Sequence, residues 1–209
     1  SHVITDKKRL TGLGVLGNQD KETFPLIFYR KDCADMAISE EDFTKEFIAS
    51  SRALLITGTH CSSDKTYQTS MKAIEYAKES DTQVIVDIDY RPVLWGLTEL
   101  GDGESRFVAS NDVSLHLQTI LPYCDVIVGT EEEIHIAGGS EDTITALSKI
   151  RLFSDSIIVL KLGPLGCTVI TSDIPNSIDD FNVVKGNPVD ILNVLGAGDA
   201  VRSGFLRGY

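Results

Sequence analysis

Two short apolar runs open the chain, Leu10 to Leu16 and Phe24 to Tyr29. A polar turn over residues 18–22 separates them. Short apolar runs joined by a polar turn predict a β-hairpin. We therefore expect residues 10–30 to form a small two-stranded unit.

A helical pattern follows the hairpin. Ser39 is a candidate N-cap with Asp42 three residues later, as in a capping box. Phe43, Phe47 and Ile48 have the spacing of one helix face. The sequence therefore predicts one helix that begins after Ser39.

From residue 53 onward, short apolar runs alternate with helical stretches. The runs contain Val, Ile and Leu without polar alternation, which is typical of strands buried on both faces. They are Ala53 to Ile56, Val84 to Ile88, Asp125 to Val128 and Ile157 to Leu160. Helices are predicted near residues 63–79, 110–121 and 131–150. This alternation predicts an α/β fold with a mostly parallel sheet, and a site beyond the carboxyl ends of its strands.

The last third of the core contains shorter elements. Cys167 to Thr171 and Phe181 to Lys185 predict short strands, which we expect to be antiparallel at the sheet edge. Gly196 to Tyr209 predicts a final helix. We interpret residues 1–209 as one unit, with residues 10–30 as a hairpin over an α/β core of residues 53–209.

Charge and cysteine content exclude several classes of binding partner and of structural site. The 209 residues carry a formal charge of −12, which argues against nucleic acid or an anionic membrane as a partner. The four cysteines form no C-x-x-C pair, and residues 1–12 are polar, without the apolar core of a signal peptide. We therefore expect a cytoplasmic protein without a disulfide framework or zinc site.

One glycine motif is misleading. Residues 12–17 fit the dinucleotide pattern G-x-G-x-x-G. That pattern needs a buried strand before it and a helix that starts on it, whereas here a charged segment precedes it and a polar turn follows. We interpret these glycines as part of the hairpin.

The strongest chemical pattern is Gly196-Ala197-Gly198-Asp199 at the start of the final predicted helix. Small residues at a helix start leave backbone N–H groups free to bind an anion. Asp199 is then close enough to accept a proton from a hydroxyl that attacks a bound phosphoryl group. An acidic residue in a first turn is equally common as a simple stabiliser of the helix. Spacing alone leaves both interpretations open.

This run resembles the C-terminal signature of the PfkB family of ribokinase-like sugar kinases. Asp87-Ile88-Asp89-Tyr90-Arg91 resembles the D-x-N-x-R segment of ketodeoxygluconate-type members. Gly129-Thr130-Glu131-Glu132 stands at the place of the family's N-x-x-E motif, and residues 161–166 stand at its nucleotide-contacting loop. The resemblance spans the chain but covers only the middle of a longer family member. It is strongest to a subgroup that acts on keto-deoxy sugar acids.

The resemblance implies a ribokinase-like three-layer αβα sandwich with a small β lid, and transfer of a phosphoryl group from ATP. Asp199 would be the catalytic base that also contacts the substrate, and Gly196, Ala197 and Gly198 would form the anion hole. Gly196 and Gly198 would also contact the nucleotide, together with Lys161 and Gly163. Lys161 is equally consistent with an ordinary lysine at the end of a strand.

The implied cofactors are ATP and Mg²⁺. Glu132 would act on Mg²⁺ through water, because Mg²⁺ usually keeps several waters and takes other ligands from phosphates. Glu131, Glu132 and Glu133 are also consistent with a stabilising acidic helix start. Asn193 stands where the family usually has Asp, which leaves a monovalent-cation requirement open.

Arg30 and Arg91 are the candidate substrate ligands, since each ends a predicted strand and an arginine pairs with a carboxylate in bidentate fashion. A surface ion pair is the alternative for both. The leading hypothesis is therefore a kinase for a keto-deoxy sugar acid. A kinase for ketodeoxygluconate, fructose or ribose remains open, as does a fragment without turnover. The resemblance also implies a homodimer formed through the lid strands.

Overall fold

The structure is a computed structural model that describes residues 3–17, 26–99, 105, 107–187, 189–190 and 194–209. It contains the predicted hairpin. Strands β1 (Leu13–Leu16) and β2 (Leu26–Tyr29) pair antiparallel, with Leu13 opposite Tyr29. The strand pairing is confirmed, whereas the turn at residues 18–22 lies outside the described residues.

The helix predicted after Ser39 is divided into two pieces. The backbone N–H of Ser39 donates to Asp42 Oδ2 at 2.8 Å, but this contact closes only a 3-10 turn over Glu40–Asp42. Phe43 is extended, and Thr44 starts helix α1 (Lys45–Ala49) by accepting the N–H of Phe47. The prediction of one helix was wrong because Thr44 is a second, competing N-cap.

The predicted parallel sheet is confirmed. Its strands lie in chain order, with the first four parallel and the last antiparallel to its neighbour. They are β3 (Ala53–Thr57), β4 (Gln83–Asp87), β5 (Val126–Thr130), β6 (Ile157–Lys161) and β7 (Cys167–Ile170). The strand predicted at Phe181 to Lys185 was wrong, since within the described residues this stretch makes one isolated bridge, between Cys167 and Val184.

Five longer helices accompany the sheet in the described part of the chain: α2 (Asp64–Lys78), α3 (Asn111–Gln118), α4 (Glu131–Gly138), α5 (Thr143–Arg151) and α6 (Ala197–Gly208). The single helix predicted over residues 131–150 is two helices. Gly139 ends α4 with a φ of +63°, a conformation that glycine adopts without steric cost. Asp142 then caps α5 by accepting the N–H of Thr145 at 2.8 Å.

The two faces of the sheet bury different sets of side chains. Helices α2, α3, α4 and α5 cover one face, and α6 covers the other through Phe205 and Leu206. The second face consists of Ile85, Val126, Val128 and Val159, each at most 1% exposed. The molecule therefore has three layers, with the sheet between two layers of helix.

The polar side chains at the carboxyl ends of β4, β5 and β6 lie on the face of the sheet that α6 covers. Side chains alternate between faces along a strand, so Asp87 shares the α6 face with Ile85, and Lys161 shares it with Val159. Thr130 lies opposite Lys161 in the register of β5 and β6. The carboxyl ends of three neighbouring strands thus present polar groups beneath the beginning of α6.

In the part of the chain that the structure describes, we find no helix with the length and apolarity that crossing a membrane requires.

Candidate functional site

Helix α6 begins where the sequence predicts. Gly196 is its N-cap with a φ of +80°, and its carbonyl accepts the N–H of Ala200 at 2.9 Å. Asp199 lies in the first turn. The N–H of Ala197 donates to the carbonyl of Val194 at 3.2 Å, whereas a helix provides no acceptor for the amides of Gly198 and Asp199. Among the described residues, the amides of this helix start without an acceptor are therefore those of Gly198 and Asp199.

Arg202 connects this helix start to the sheet. Its Nη2 donates to Oδ1 of Asp199, one turn earlier on α6. Its Nη1 donates to Oδ2 of Asp87, at the end of β4, at 2.6 Å. The Asp199 side chain is 69% exposed, whereas that of Asp87 is only 7% exposed. Arg202 thus joins an exposed carboxylate to a buried one.

Asp87 is held by two cations. Its Oδ1 accepts from Lys161 Nζ at 3.3 Å, and its Oδ2 accepts from Arg202. Burial raises the pKa of the Asp87 carboxyl, and the charges of Lys161 and Arg202 oppose that rise. Both oxygens of this buried carboxylate are consequently paired, which is the condition under which a buried charge is tolerated.

Lys161 also pairs with Glu133, whose Oε2 lies 3.3 Å from Nζ. Burial alone would lower the pKa of the Lys161 ammonium, but the charges of Glu133 and Asp87 hold it above its usual value. A Cβ built on Gly198 would lie 3.7 Å from Nζ, so the ammonium is adjacent to the start of α6. The structure therefore brings together Lys161 and Gly198, two of the residues that the family resemblance suggests for nucleotide binding.

Glu133 is fixed by the start of α4. The Thr130 N–H donates to Glu133 Oε2 at 2.6 Å, and the Glu133 N–H donates to Thr130 Oγ1 at 3.3 Å. Burial raises the pKa of the Glu133 carboxyl, and Lys161 opposes that rise. This capping box turns the Glu133 carboxylate toward the sheet end.

Two predicted residues lie apart from this cluster. Glu132 is exposed on α4, and its neighbour Glu133 is the carboxylate that faces Lys161. Gly163 is exposed in the turn after β6, and no hydrogen bond between described residues joins it to α6. Asn193 lies outside the described residues.

Sequence reasoning assigned no role to three members of the cluster, Asp87, Glu133 and Arg202, although Asp87 stands in a segment that it singled out. Glu133 had a readable signal, because Thr130 and Glu133 have capping-box spacing. No sequence signal indicated that Arg202 contacts Asp87, because the two residues are 115 positions apart in the sequence.

A second polar cluster lies between the hairpin and the sheet end. Arg30 follows β2, and its Nε donates to Asp35 Oδ2. Burial lowers the pKa of the His60 imidazole, and the Arg30 charge lowers it further. These three residues line a groove between the hairpin and β3.

Arg91 approaches the same region from the segment after β4. The prediction that it ends a strand was wrong, because β4 ends at Asp87 and Arg91 precedes a 3-10 turn over Pro92–Trp95. Its Nη2 lies 3.0 Å from Asp89 Oδ1, and its guanidinium stacks 5.6 Å from the centre of the Phe28 ring on β2. Asp89 has a φ of +35°, and its Oδ2 accepts from Thr57 at 3.1 Å. Arg30 thus lines this groove, the crevice between the hairpin and the sheet end, and Arg91 contacts Phe28, which also lines it. Each arginine is paired with a carboxylate of the chain itself.

Within the described residues, no group of three or more His, Cys, Asp or Glu side chains is arranged to hold a metal ion by itself. Mg²⁺ often takes only one or two carboxylates and completes its shell with water and phosphate oxygens. The exposed Glu132 and the inward Glu133 at the start of α4 are compatible with that kind of binding.

Comparison with known proteins gives a consistent family assignment. A family profile described as pfkB family carbohydrate kinase matches residues 1–209. Proteins named 5-dehydro-2-deoxygluconokinase are 28% identical over 213 residues in Geobacillus kaustophilus and 30% identical over 189 residues in Clostridium tetani. They cover 100% and 88% of this chain, which spans only 58% and 50% of their own lengths.

Solved structures show the same fold. Fructokinase from Vibrio cholerae, solved with fructose, ADP and calcium ion, superposes with a TM-score of 0.73 at 21% identity, covering 98% of this chain and 60% of its own. Fructokinase from Xylella fastidiosa, solved with bound ATP, has a TM-score of 0.75 at 15% identity. The match covers 97% of this chain and 57% of the fructokinase chain. The expected three-layer ribokinase-like fold is therefore confirmed.

Proposed function

We propose that this chain, which belongs to the pfkB family of carbohydrate kinases, carries the phosphoryl-transfer site of a kinase that acts on a keto-deoxy sugar acid. The first substrate to test is 5-dehydro-2-deoxygluconate, an intermediate of myo-inositol catabolism, because it gives the two curated relatives their name. The observation that carries the proposal is the position of Asp199. It lies in the first turn of α6, next to Gly198, whose own position is adjacent to the Lys161 ammonium.

In this reaction the acceptor hydroxyl of the sugar acid attacks the γ-phosphorus of ATP. Asp199 accepts the hydroxyl proton as the new P–O bond forms. The bond from the γ-phosphorus to the β,γ-bridging oxygen breaks, and ADP leaves with that electron pair. The open amides at the start of α6 stabilise the negative charge on the transferring group.

Lys161 supports the same step from the sheet. Its ammonium lies between Asp87 and Glu133 and beside Gly198, so it places positive charge at the helix start. Because the chain has a net charge of −12, it needs such local cations to hold a negatively charged nucleoside triphosphate. Gly163 would contact the nucleotide from the turn after β6, as the family resemblance implies.

When bound, Mg²⁺ neutralises charge on the phosphate oxygens. Glu132 would reach it through water, as the family resemblance implies. Glu133 is a second candidate for the same contact, because its carboxylate already faces the sheet end. Because Asn193 stands where the family usually has Asp, the requirement for a monovalent cation is tested by measuring activity with and without K⁺.

Arg30 and Arg91 would select an acidic sugar. Both guanidinium groups are at the crevice between the hairpin and the sheet end, and both already bind carboxylates. A substrate carboxylate would add to Asp35 or Asp89, or exchange with one of them. A neutral sugar would offer these arginines no such partner.

The hairpin would serve as the lid and as the surface of a homodimer. Its exposed apolar side chains support this, since Leu13, Val15 and Tyr29 are 57%, 47% and 51% exposed. Sedimentation equilibrium tests it, with a Val15→Lys variant to weaken association. A monomer at micromolar concentration would contradict the dimer.

The kinase proposal is tested by coupled detection of ADP. We expect ADP release with 5-dehydro-2-deoxygluconate and Mg²⁺, and weaker release with ketodeoxygluconate, fructose and ribose. Preference for a neutral sugar would replace the sugar-acid assignment with another carbohydrate kinase. The 209-residue chain is compared with a longer polypeptide that includes its flanking segments. Absence of ADP release from both, with every sugar, would leave a non-catalytic binding module as the better description.

A further inference from the structure

We propose that Arg202 is a positioning residue for phosphoryl transfer, because it orients the Asp199 carboxylate by tying it to Asp87 at the end of β4. The inference rests on the proposed function, in which Asp199 accepts the proton of the acceptor hydroxyl. Arg202 makes the direct contact to both carboxylates. It acts on the reaction through Asp199.

The geometry joins one residue on the helix to one on the sheet. Arg202 and Asp199 lie three positions apart on α6, where side chains stand on one face of a helix. Each carboxylate receives a different nitrogen of the guanidinium, Nη2 for Asp199 and Nη1 for Asp87. A planar guanidinium that binds two carboxylates at once has little rotational freedom left.

The sheet end of this bridge is firmly held. The Asp87 side chain is 7% exposed, and its second oxygen accepts from Lys161, whose side chain is 11% exposed. Arg202 itself is 17% exposed. The guanidinium is therefore anchored in the protein interior, and its position is set by β4 and β6 as well as by α6.

Asp199 needs this support because its own surroundings are open. Its side chain is 69% exposed, so without a partner the carboxylate would sample several rotamers in solvent. Arg202 occupies Oδ1, which leaves Oδ2 as the oxygen to receive the proton. Fixing a reacting group in a productive orientation can account for about a hundredfold in rate.

The bridge also connects the base to the proposed sugar contacts. Asp87 and Asp89 belong to the same short segment at the end of β4, and Asp89 pairs with Arg91 at 3.0 Å. A substrate that binds Arg91 therefore contacts the segment on which Arg202 is anchored. This gives a direct structural route between the sugar crevice and Asp199.

Two other roles for Arg202 make different predictions. A guanidinium that contacts the ATP phosphates would affect the KM for ATP. One that only stabilises the fold would affect thermal unfolding and leave kcat of the folded enzyme unchanged. A positioning role affects kcat, with both KM values nearly constant.

The test compares Arg202→Met, Arg202→Lys and Asp87→Asn in the full-length protein, with Arg207→Met as the control. Arg207 is exposed on the same helix.

We expect Arg202→Met and Asp87→Asn to lower kcat by about tenfold to a hundredfold, with KM for ATP and sugar acid within about twofold. Arg202→Lys should recover part of the loss, and Arg207→Met should match wild type. Thermal unfolding of each variant identifies any that fail to fold.

A double-variant comparison completes the test. In an Asp199→Asn background, adding Arg202→Met should lower kcat by less than about twofold, because the carboxylate that Arg202 orients is gone. Multiplicative losses, an unchanged kcat in folded Arg202→Met, or a large rise in the KM for ATP would overturn the inference. A wild-type protein that releases no ADP would instead overturn the proposed function.

Discussion

Lys161 Nζ lies 3.3 Å from Glu133 Oε2, and the two side chains are only 11% and 10% exposed. The pair joins the end of β6 to the first turn of α4. Asp87 adds a second carboxylate 3.3 Å from the same ammonium. One buried cation thus connects three segments that together form the sheet end beneath α6.

Replacing Lys161 by Met should destabilise the protein strongly. Among the described residues, the change leaves Glu133 without a paired cation and leaves Asp87 with Arg202 alone. Removing one partner of a buried ion pair typically costs about 3 kcal/mol or more, because the other charge stays buried and uncompensated. Urea denaturation at pH 7 measures the loss in the free energy of unfolding.

The double variant Lys161→Met/Glu133→Gln is the matched comparison, since it removes the uncompensated charge as well. We expect it to be more stable than Lys161→Met. The exposed Lys31 provides a control, and Lys31→Met should change stability by less than about 0.5 kcal/mol. If the double variant is as unstable as the single one, the pair is not the source of the loss.

Asp199→Asn tests the proposed base directly. The amide keeps the size of the side chain but is a very poor proton acceptor, so kcat should fall by about a hundredfold or more. The ATP dissociation constant should change little, because the proposed role of Asp199 lies in the proton transfer. Single-turnover ADP formation and equilibrium ATP binding measure the two quantities separately.

Asp155→Asn is the control for that experiment. Asp155 is exposed just before β6, at the amino end of a strand and thus at the opposite edge of the sheet from α6. Its kcat should equal that of wild type. Near-normal phosphoryl transfer in Asp199→Asn would remove the base assignment.

The sheet and the start of α6 were predictable because their signals are local. Val84 to Ile88 is apolar at almost every position, as a strand buried on both faces requires. Gly196 precedes small residues and an acid, which is a helix start that needs no distant contact to be recognised. In the described residues these local patterns agree with the tertiary structure.

Other features were not predicted, for two physical reasons. Gly139 and Asp142 carried a local signal for the break between α4 and α5, but the long apolar periodicity masked it. The contact of Arg202 with Asp87 depends on strand register and on how α6 lies across the sheet. A linear pattern does not contain that information.

Arg30→Ala and Arg91→Ala test the proposed sugar-acid contacts. Each variant removes a guanidinium that pairs with a carboxylate in the crevice. We expect the KM for a sugar acid to rise by about tenfold or more, while the KM for its neutral reduced analogue changes by less than about threefold. Initial rates over a range of both compounds give the comparison.

Arg52→Ala provides a charge-matched control, because Arg52 is exposed immediately before β3 and far from that strand's carboxyl end. It should leave both KM values unchanged. Equal increases for acidic and neutral compounds in the Arg30 and Arg91 variants would show that the arginines hold the crevice together without reading the carboxylate.

His60 predicts a pH dependence of stability. Burial, with the Arg30 charge second, lowers the pKa of its imidazole below the usual value of 6.5. As pH falls below about 6.5, the unfolded chain therefore binds a proton at His60 before the folded chain does, and folding becomes less favourable.

His60→Gln removes this contribution, so its free energy of unfolding should decline less steeply than that of wild type between about pH 7 and pH 5. Urea denaturation at several pH values measures the slopes, and His135→Gln controls for the loss of any one histidine. Parallel slopes for wild type and His60→Gln would show that the His60 site accepts a proton equally well in both states.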